Sequence, residues 1–227
     1  MNWMSRVVGL IVQRHGSMRV LIAIAAAVTL ASCVSVKTEG FNNPTLPAPQ
    51  WRLYGGLEVG YAITLPRGWS AFDLNTQVDL AANACSLDAQ LREARRQQVT
   101  NLHNRGVRLF ACDTSRDAES RIPVAYAVTG EAPAEGLDRY LDKTQQVQGR
   151  EILDRRHVYT NAGDMVVQKI RERVTAPDGS PVDTTQYQFL VIRFNALHLF
   201  FVEFPTALQD AIGKDAELMG ASFTPVR

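Results

Sequence analysis

Four consecutive runs in the second half of the chain are rich in β-branched and aromatic residues and have the length of strands. They cover residues 151–160, 165–175, 183–194 and 197–204. The connections at 161–164, 177–180 and 195–196 are short and mostly polar. Strands joined this tightly pair antiparallel, so the pattern predicts a meander. Residues 189–192 are apolar on both faces of their strand, which predicts a central strand covered on both sides.

A different spacing, with apolar residues three or four apart, predicts three helices. The first covers 87–105, with Leu87, Leu91, Ala94 and Leu102 on one stripe and Arg92, Arg96 and Gln97 opposite. Gly106 ends it as a C-cap. The second has Leu137, Tyr140, Leu141, Thr144 and Val147 on its apolar stripe, and the third has Leu208, Ala211, Ile212, Ala216 and Met219.

Shorter strands are predicted at 61–65, 107–112 and 124–129. The first stops at Pro66-Arg67-Gly68-Trp69, where proline and glycine favour a turn. Helices grouped around an antiparallel sheet, without regular alternation of strand and helix, indicate an α+β fold. We expect about six to seven strands, ending in the meander and covered by helices on both faces.

Two segments form a recognisable pattern: the opening Tyr-x-Ile-x-Leu-Pro-x-Gly-Trp at Tyr61 to Trp69, and the closing hairpin and helix with Ala221-Ser222-Phe223. In these segments the chain resembles the PsbP-like family. The family includes the photosystem II protein PsbP, the bacterial lipoproteins DcrB and LpqN, and a Ran-binding eukaryotic protein. The resemblance implies an α-β-α sandwich that works by contact with other molecules, with no general catalytic motif to carry over.

The first thirty-three residues have the order of an export signal: basic residues, an apolar stretch and then small residues. The apolar stretch, 20–31, is shorter than the roughly 20 residues that a membrane-spanning helix needs. Leu30-Ala31-Ser32-Cys33 resembles a bacterial lipobox, which predicts cleavage between Ser32 and Cys33. The alternative is an ordinary cleaved signal in which Cys33 is incidental. Met18 is an alternative start to Met1.

Resemblance to bacterial lipoproteins implies that Cys33 carries a diacylglycerol and usually a third acyl chain. Two or three chains, at about 0.8 kcal/mol per buried CH₂, hold a protein on a membrane stably. Val34 stands where an aspartate would mark retention in the inner membrane, so we expect the outer membrane, facing the periplasm. Residues 34–50 are rich in Gly, Asn and Pro and predict a flexible tether. The expected organisation is a signal peptide at 1–32, the lipidated cysteine and tether at 33–50, and one domain at 51–227.

Charge gives little information about partners. Without the three arginines of the signal, the chain has a formal net charge of −2. This balance argues against nucleic-acid binding, which needs a concentrated basic face.

Two cysteines remain beside Cys33, and both lie in the predicted domain. An exported protein enters an oxidising compartment, where an even number of cysteines favours a disulfide. A helix over 87–105 and a returning strand over 107–112 would bring Cys112 back towards Cys85. We predict a Cys85–Cys112 disulfide, with two separate buried thiols as the alternative.

The sequence contains no recognisable catalytic or metal-binding motif. None of His103, His157 and His198 has a second histidine or cysteine at metal-ligand spacing, so neither a metal nor a cofactor is expected. We expect His198 to be hydrogen-bonded or at a sheet edge. Asp138 and Asp142 are one helical turn apart and are expected to face solvent. Five arginines could contact anionic lipid, but we interpret them as ordinary solubilising surface charge: Arg92, Arg95, Arg96, Arg105 and Arg108.

These observations favour a non-enzymatic, membrane-anchored module that binds an envelope protein through a sheet edge, a loop or a helix–sheet groove. One alternative is a carrier of a small apolar or lipid-like ligand, held between sheet and helix in a pocket of roughly 300 Å³ or more. Another is an envelope hydrolase whose catalytic residues come from distant segments. The partner, the ligand-binding residues and the oligomeric state are not predicted.

Overall fold

The fold is taken from a computed structural model that describes residues 37–40, 51–86, 89–115, 122–144, 149–175 and 180–227. Its strands are β1 Lys37–Gly40, β2 Arg52–Gly56, β3 Tyr61–Leu65, β4 Trp69–Asp73, β5 Leu109–Asp113, β6 Val124–Glu131, β7 Arg150–Thr160, β8 Gly163–Thr175, β9 Pro181–Arg193, β10 Ala196–Pro205 and β11 Thr224–Pro225. Its helices are α1 Val78–Ala84, α2 Ala89–His103, α3 Leu137–Thr144 and α4 Gln209–Ser222, with a 3₁₀ turn at Thr206–Leu208 before α4.

Eight strands form the main sheet, in the order β1-β7-β8-β9-β10-β6-β5-β4. The meander β7 to β10 forms as predicted, and its strands are up to 13 residues long. All neighbours in this sheet pair antiparallel except β1, which pairs parallel to β7 at the edge. A second, three-stranded sheet has the order β11-β3-β2. The predicted α+β class is confirmed.

Each face of the main sheet has its own apolar core. On one face, here called the α3 face, α1, α2 and α3 enclose a cluster that includes Phe110, Leu190 and Leu199. On the other, here called the α4 face, α4 and the small sheet cover a cluster that includes Phe189 and Phe200. Helices therefore cover both faces, as predicted, and the three-stranded sheet adds cover that the sequence pattern did not predict.

Helix α2 begins and ends close to its predicted bounds, but its buried stripe differs from the predicted one. Leu102 is buried as expected, together with Val99, whereas Ala94 is exposed. Val99 and Leu102 are three residues apart and so share a face. The side chains of Leu87 and Leu91 lie outside the described residues.

The predicted disulfide between Cys85 and Cys112 is confirmed. It joins the residue after α1 to strand β5, and both cysteines are fully buried in the core of the α3 face. Closing a loop of this length stabilises a fold by about 3–4 kcal/mol on the chain-entropy model.

Strand β7 lies next to the edge of the main sheet and is interrupted by a β-bulge. The register with β8 shifts between Ile152 and Asp154, so Leu153 has no partner opposite and is 41 % exposed. The rest of the strand carries many charged side chains. Charges and bulges of this kind discourage the pairing of an edge with another chain.

The predicted signal peptide, with Ser32 and Cys33, lies outside the described residues. Within the predicted tether, Lys37–Gly40 forms β1. In the described part of the chain, no helix is long and apolar enough to cross a membrane. The predicted organisation into signal, tether and domain stays a prediction.

Candidate interaction surface

The turn between β9 and β10 holds two residues in the left-handed region of the backbone. Phe194 has φ of 53° and Asn195 has φ of 60°. A two-residue turn with both φ angles positive is a type I′ turn, which matches the twist of a hairpin. Asn tolerates this conformation, but for a bulky residue it costs about 1–2 kcal/mol. The fold therefore holds an aromatic side chain where glycine or asparagine would be less strained.

A hydrogen-bonded chain from three strands fixes the base of this turn. The Nε2–H of His198 donates to the carbonyl oxygen of Arg193, 3.1 Å away, because a carbonyl can only accept. The Nδ1 of His198 then accepts from the hydroxyl of Thr129, 3.2 Å away. The Tyr61 hydroxyl in turn hydrogen-bonds Thr129 Oγ1. The position next to Phe194 is thus held by groups from β3, β6 and β10.

The same surroundings keep His198 neutral. Burial lowers the pKa of His198, and the charge of Arg193 adds to this effect, while the hydrogen bond to the Arg193 carbonyl opposes it. The net pKa lies below its ordinary value, which agrees with one donating and one accepting ring nitrogen. The prediction that His198 is hydrogen-bonded is confirmed.

Three large apolar side chains lie exposed around these hairpin ends. Phe194 is 44 % exposed, Ile192 39 % and Tyr159 57 %. The β7–β8 and β9–β10 turns lie at the same end of the sheet, because Met165 pairs with Val191. We call Tyr159, Ile192 and Phe194 the hairpin-end surface. Arg193 lies over the Phe194 ring, 4.9 Å from its centre, and adds a positive charge beside it.

Beside this surface, α3 lies against β7 through two ionic contacts. Asp142 accepts from Arg155 Nη1 at 2.8 Å, and Asp138 lies 3.2 Å from His157 Nε2. The prediction that both carboxylates face solvent is confirmed, since their side chains are more than half exposed, and each is also paired with a side chain of β7. The apolar stripe of α3 predicted that both carboxylates lie away from the core. It gave no information about the cationic strand β7, which lies along the side of the helix.

His157 is enclosed by carboxylates on both sides of its ring. Its Nδ1 lies 3.2 Å from Asp164 Oδ1, and its Nε2 faces Asp138. Partial burial lowers the pKa of His157, but the hydrogen bonds and charges of Asp164 and Asp138 outweigh it, so the net pKa is raised. A carboxylate at each ring nitrogen favours the protonated imidazole, which donates from both nitrogens. It has no nitrogen free to take a proton from a nucleophile.

The arginines singled out in the sequence do not form one site. Arg92, Arg95 and Arg96 lie on α2, whereas Arg105 and Arg108 lie between α2 and β5. Arg96 forms an exposed ion pair with Asp79 of α1, and Arg95 donates to Gln98. His103 is the last residue of α2. Within the described ranges, no three His, Cys, Asp or Glu side chains are grouped so that they could hold a metal ion.

A small cavity lies between α4 and the main sheet. Its volume of about 10 Å³ has room for about one water molecule. The lining residues are Arg156, Val158, Val167, Phe189, Glu217 and Ala221. This is far below the roughly 300 Å³ of a ligand pocket and gives the carrier alternative no support.

Several solved structures resemble the fold of this chain, all with TM-scores below 0.5. The solution structure of cyanobacterial PsbP from Synechocystis sp. PCC 6803 is 12 % identical, with a TM-score of 0.43, and the match covers 82 % of this chain and 98 % of that one. The Ran-binding protein Mog1p of Saccharomyces cerevisiae is 11 % identical, with a TM-score of 0.46 and coverage of 78 % and 95 %. LpqN, involved in cell envelope biogenesis of Mycobacterium tuberculosis, is 9 % identical, with a TM-score of 0.44 and coverage of 78 % and 91 %.

PsbP and LpqN belong to the group that the Tyr61 to Trp69 motif resembles. At these identities and TM-scores, no partner or activity is transferred from any of these proteins to the chain. No protein-family model matches the sequence, and no curated protein matches it.

Proposed function

We propose that the chain is a lipid-anchored protein of the bacterial cell envelope that binds another envelope protein and catalyses no reaction. The observation that carries the proposal is the exposed Phe194 at the tip of the β9–β10 hairpin. Its backbone conformation disfavours an aromatic residue, and a His198-centred hydrogen-bond chain holds the base of its turn. Backbone strain at a residue with an exposed aromatic side chain indicates that this residue serves a function other than stabilising the fold.

Ile192 and Tyr159 support the same interpretation because they enlarge the apolar area around Phe194. Tyrosine and arginine are enriched among protein-binding hot spots, and aromatic residues including phenylalanine are enriched in the cores of interfaces. Here, Arg193 lies directly over the Phe194 ring. We propose that the hairpin-end surface inserts into an apolar pocket of the partner.

The anchor is proposed from the sequence, on the lipobox that ends at Cys33. Lys37, the first residue of β1, pairs with Arg156, and Gly40, the last, pairs with Tyr159. The strand therefore begins at the end that lies farther from the hairpin-end surface. An extended path of four residue steps from Cys33 to Lys37 would span about 13 Å. An anchor attached there would leave the hairpin-end surface directed away from the membrane. Val34 favours the outer membrane, with the domain in the periplasm.

The proposed absence of catalysis rests on the state of the histidines. His157 has a carboxylate at each ring nitrogen, and His198 uses both nitrogens to hold the hairpin. Neither is available as the general base that the hydrolase alternative needs. Among the described residues, both histidines thus have their ring nitrogens engaged, and a screen of the purified domain against ester, peptide and glycoside substrates tests the absence of catalysis.

Site-specific photo-crosslinking in living cells tests the partner. A benzoylphenylalanine placed at Phe194 of the full chain should give a discrete cross-linked product on irradiation. The matched control is the same probe at Leu80 on α1, which is 55 % exposed but belongs to another part of the surface. No product at 194, or the same products at both positions, would refute binding through this surface.

The anchor is tested separately with Cys33→Ala. The wild-type chain should incorporate labelled fatty acid and sediment with outer-membrane vesicles. The variant should lose the label and keep an uncleaved leader. Labelling that persists in Cys33→Ala would refute the anchor and leave the hairpin-end proposal standing.

A further inference from the structure

Polar side chains cover part of the α3 face of the main sheet, where an apolar surface would be usual. Alternate positions on four neighbouring strands carry them. They are Arg150 and Arg155 on β7, Gln168 and Glu172 on β8, Thr184, Gln186 and Gln188 on β9, and Glu203 on β10. A buried polar group without a partner costs about 1–3 kcal/mol. Any side chain of this polar patch that lacks a hydrogen-bond partner therefore costs stability.

One side of the patch is hydrogen-bonded within itself. Gln188 Nε2 donates to Gln186 Oε1, and Gln186 Nε2 donates to Glu203 Oε2 at 3.3 Å. These three side chains satisfy one another across β9 and β10. They lie beside the remaining residues of the polar patch.

The other side is centred on Arg155, whose side chain is only 4 % exposed. Its Nη1 donates to Asp142, but its Nε and Nη2 are buried and have no hydrogen-bond partner among the described residues. Nε and Nη2 form the edge of a guanidinium that binds two oxygens of one carboxylate or phosphate. Asp142 thus holds the arginine in place and leaves its bidentate edge unused.

Gln168 lies directly opposite Arg155 in the register of β7 and β8. It is 2 % exposed, its Oε1 is unpaired, and no described residue hydrogen-bonds its side chain. Directly opposed side chains on one face are within reach of the same small ligand. An amide can turn to present either its oxygen or its N–H₂ group, so Gln168 can add a third donor to the two of Arg155.

The next positions along the strands continue the pattern. Arg150 donates to Glu172 through Nε, and its Nη2 finds no partner in the described ranges. Thr184, the partner of Glu172 across β8 and β9, is 2 % exposed, and its hydroxyl is likewise unpaired there. The unpaired groups are thus mostly N–H donors, and they require an acceptor.

We propose that Arg155 and Gln168 form a binding site for an oxyanion, a carboxylate or a phosphate group of a small ligand, in the crease between α3 and β7. Asp142 is 67 % exposed and touches Arg155, so the guanidinium lies one side chain below the surface. The site is independent of the hairpin-end surface and does not rest on the proposed function.

Two probes distinguish the sources of the oxyanion: N-acetylglycine for a carboxylate and inorganic phosphate for a phosphate, each added to the mature protein at constant ionic strength. The Nε–H resonance of Arg155 should shift in a saturable manner with one of them. Saturation by N-acetylglycine assigns a carboxylate ligand, and saturation by phosphate assigns a phosphorylated one. If neither probe shifts it, the site holds water only and the proposal is overturned.

The variant Arg155→Lys keeps the charge but loses the bidentate edge, and it should bind the active probe about tenfold more weakly or worse. Arg171→Lys is the matched control, because Arg171, on the neighbouring strand β8, is also paired to a carboxylate, but at the surface. Equal affinity in the two variants would mean adventitious surface binding and would overturn the proposal. If Arg155→Lys fails to fold, Gln168→Leu provides the same comparison.

Discussion

Replacing Phe194 with asparagine should leave the domain nearly as stable as before and abolish binding to the proposed partner. The change keeps the type I′ turn, because asparagine tolerates positive φ. Relief of strain contributes about 1–2 kcal/mol. Against this stands the loss of the contact with Arg193, about 0.5–1 kcal/mol at an exposed site.

The covered part of the ring also contributes to folding. Full burial of a phenylalanine is worth about 1.5–3 kcal/mol, and 44 % of Phe194 is exposed, so its loss costs about 1 kcal/mol. The three contributions nearly cancel. We expect the free energy of unfolding to change by less than about 1 kcal/mol in either direction, which is a shift in Tm of at most about 2–4 °C.

Urea unfolding followed by tryptophan fluorescence measures this change, and photo-crosslinking from a second position such as Tyr159 measures binding. Phe200→Ala is the comparison for a core residue, because Phe200 is fully buried and its truncation costs about 3–5 kcal/mol. If Phe194→Asn lost as much stability as Phe200→Ala, Phe194 would be a core residue. If Phe194→Asn kept the cross-linked product, its side chain would not contact the partner.

Three other perturbations follow from the packing and the charges. Replacing Cys85 and Cys112 together by alanine should lower the free energy of unfolding by about 3–4 kcal/mol, since they are 27 residues apart, and urea unfolding measures it. Gly220→Ala should cost about 1–3 kcal/mol in thermal unfolding, because the new Cβ would lie 2.0 Å from the Phe189 ring. In NMR titrations, His157 should have its midpoint above about 6.5 and His198 below it.

The two histidines affect stability in opposite directions. For His157, the raised pKa means that its contribution is complete below about pH 6.5 and is lost as the pH rises through the folded pKa. For His198, the lowered pKa means that its contribution is complete above about pH 6.5 and is lost as the pH falls through the folded pKa. His157→Gln should therefore flatten the alkaline side of the stability profile, and His198→Gln the acidic side. Unchanged profiles would contradict both assignments.

The other two perturbations have their own controls. Reduced wild-type protein should unfold at the same urea concentration as the double cysteine variant, and a difference would point to damage other than loss of the bond. Gly213→Ala is the control for Gly220→Ala. Its Cβ would meet chiefly the flexible end of Gln209, which can move aside, so little stability should be lost. Equal losses at the two glycines would contradict the packing described for Phe189.

The strongly patterned elements could be predicted from the sequence, whereas short polar ones could not. Strand β3 begins and ends at the predicted residues, and each strand of the meander lies within a few residues of its prediction. Strands β2 and β4 and helix α1 were missed, because five to seven residues with glycine, serine or charged side chains give no clear period.

In the candidate surface, too, the sequence pattern did not predict the conformation of individual residues. The sequence pattern assigned Phe194 to strand β9 and placed the turn at 195–196, because an aromatic residue favours a strand. The observed turn is one residue earlier, since the hydrogen bond from His198 Nε2 to the Arg193 carbonyl oxygen fixes the chain there. The polar patch could not be predicted either, because isolated glutamines in a strand resemble the solvent-facing half of an alternating pattern.

The bulge and the charges of β7 limit how copies of this protein can associate. Molecules tethered to one membrane diffuse in two dimensions and meet far more often than molecules in solution. A smooth, apolar outer strand would turn such encounters into continuous intermolecular sheets, the first step towards fibrils. With the proposed lipid anchor, an irregular strand of mixed charge would keep the copies on a crowded bilayer as separate molecules, each with its aromatic tip unoccupied.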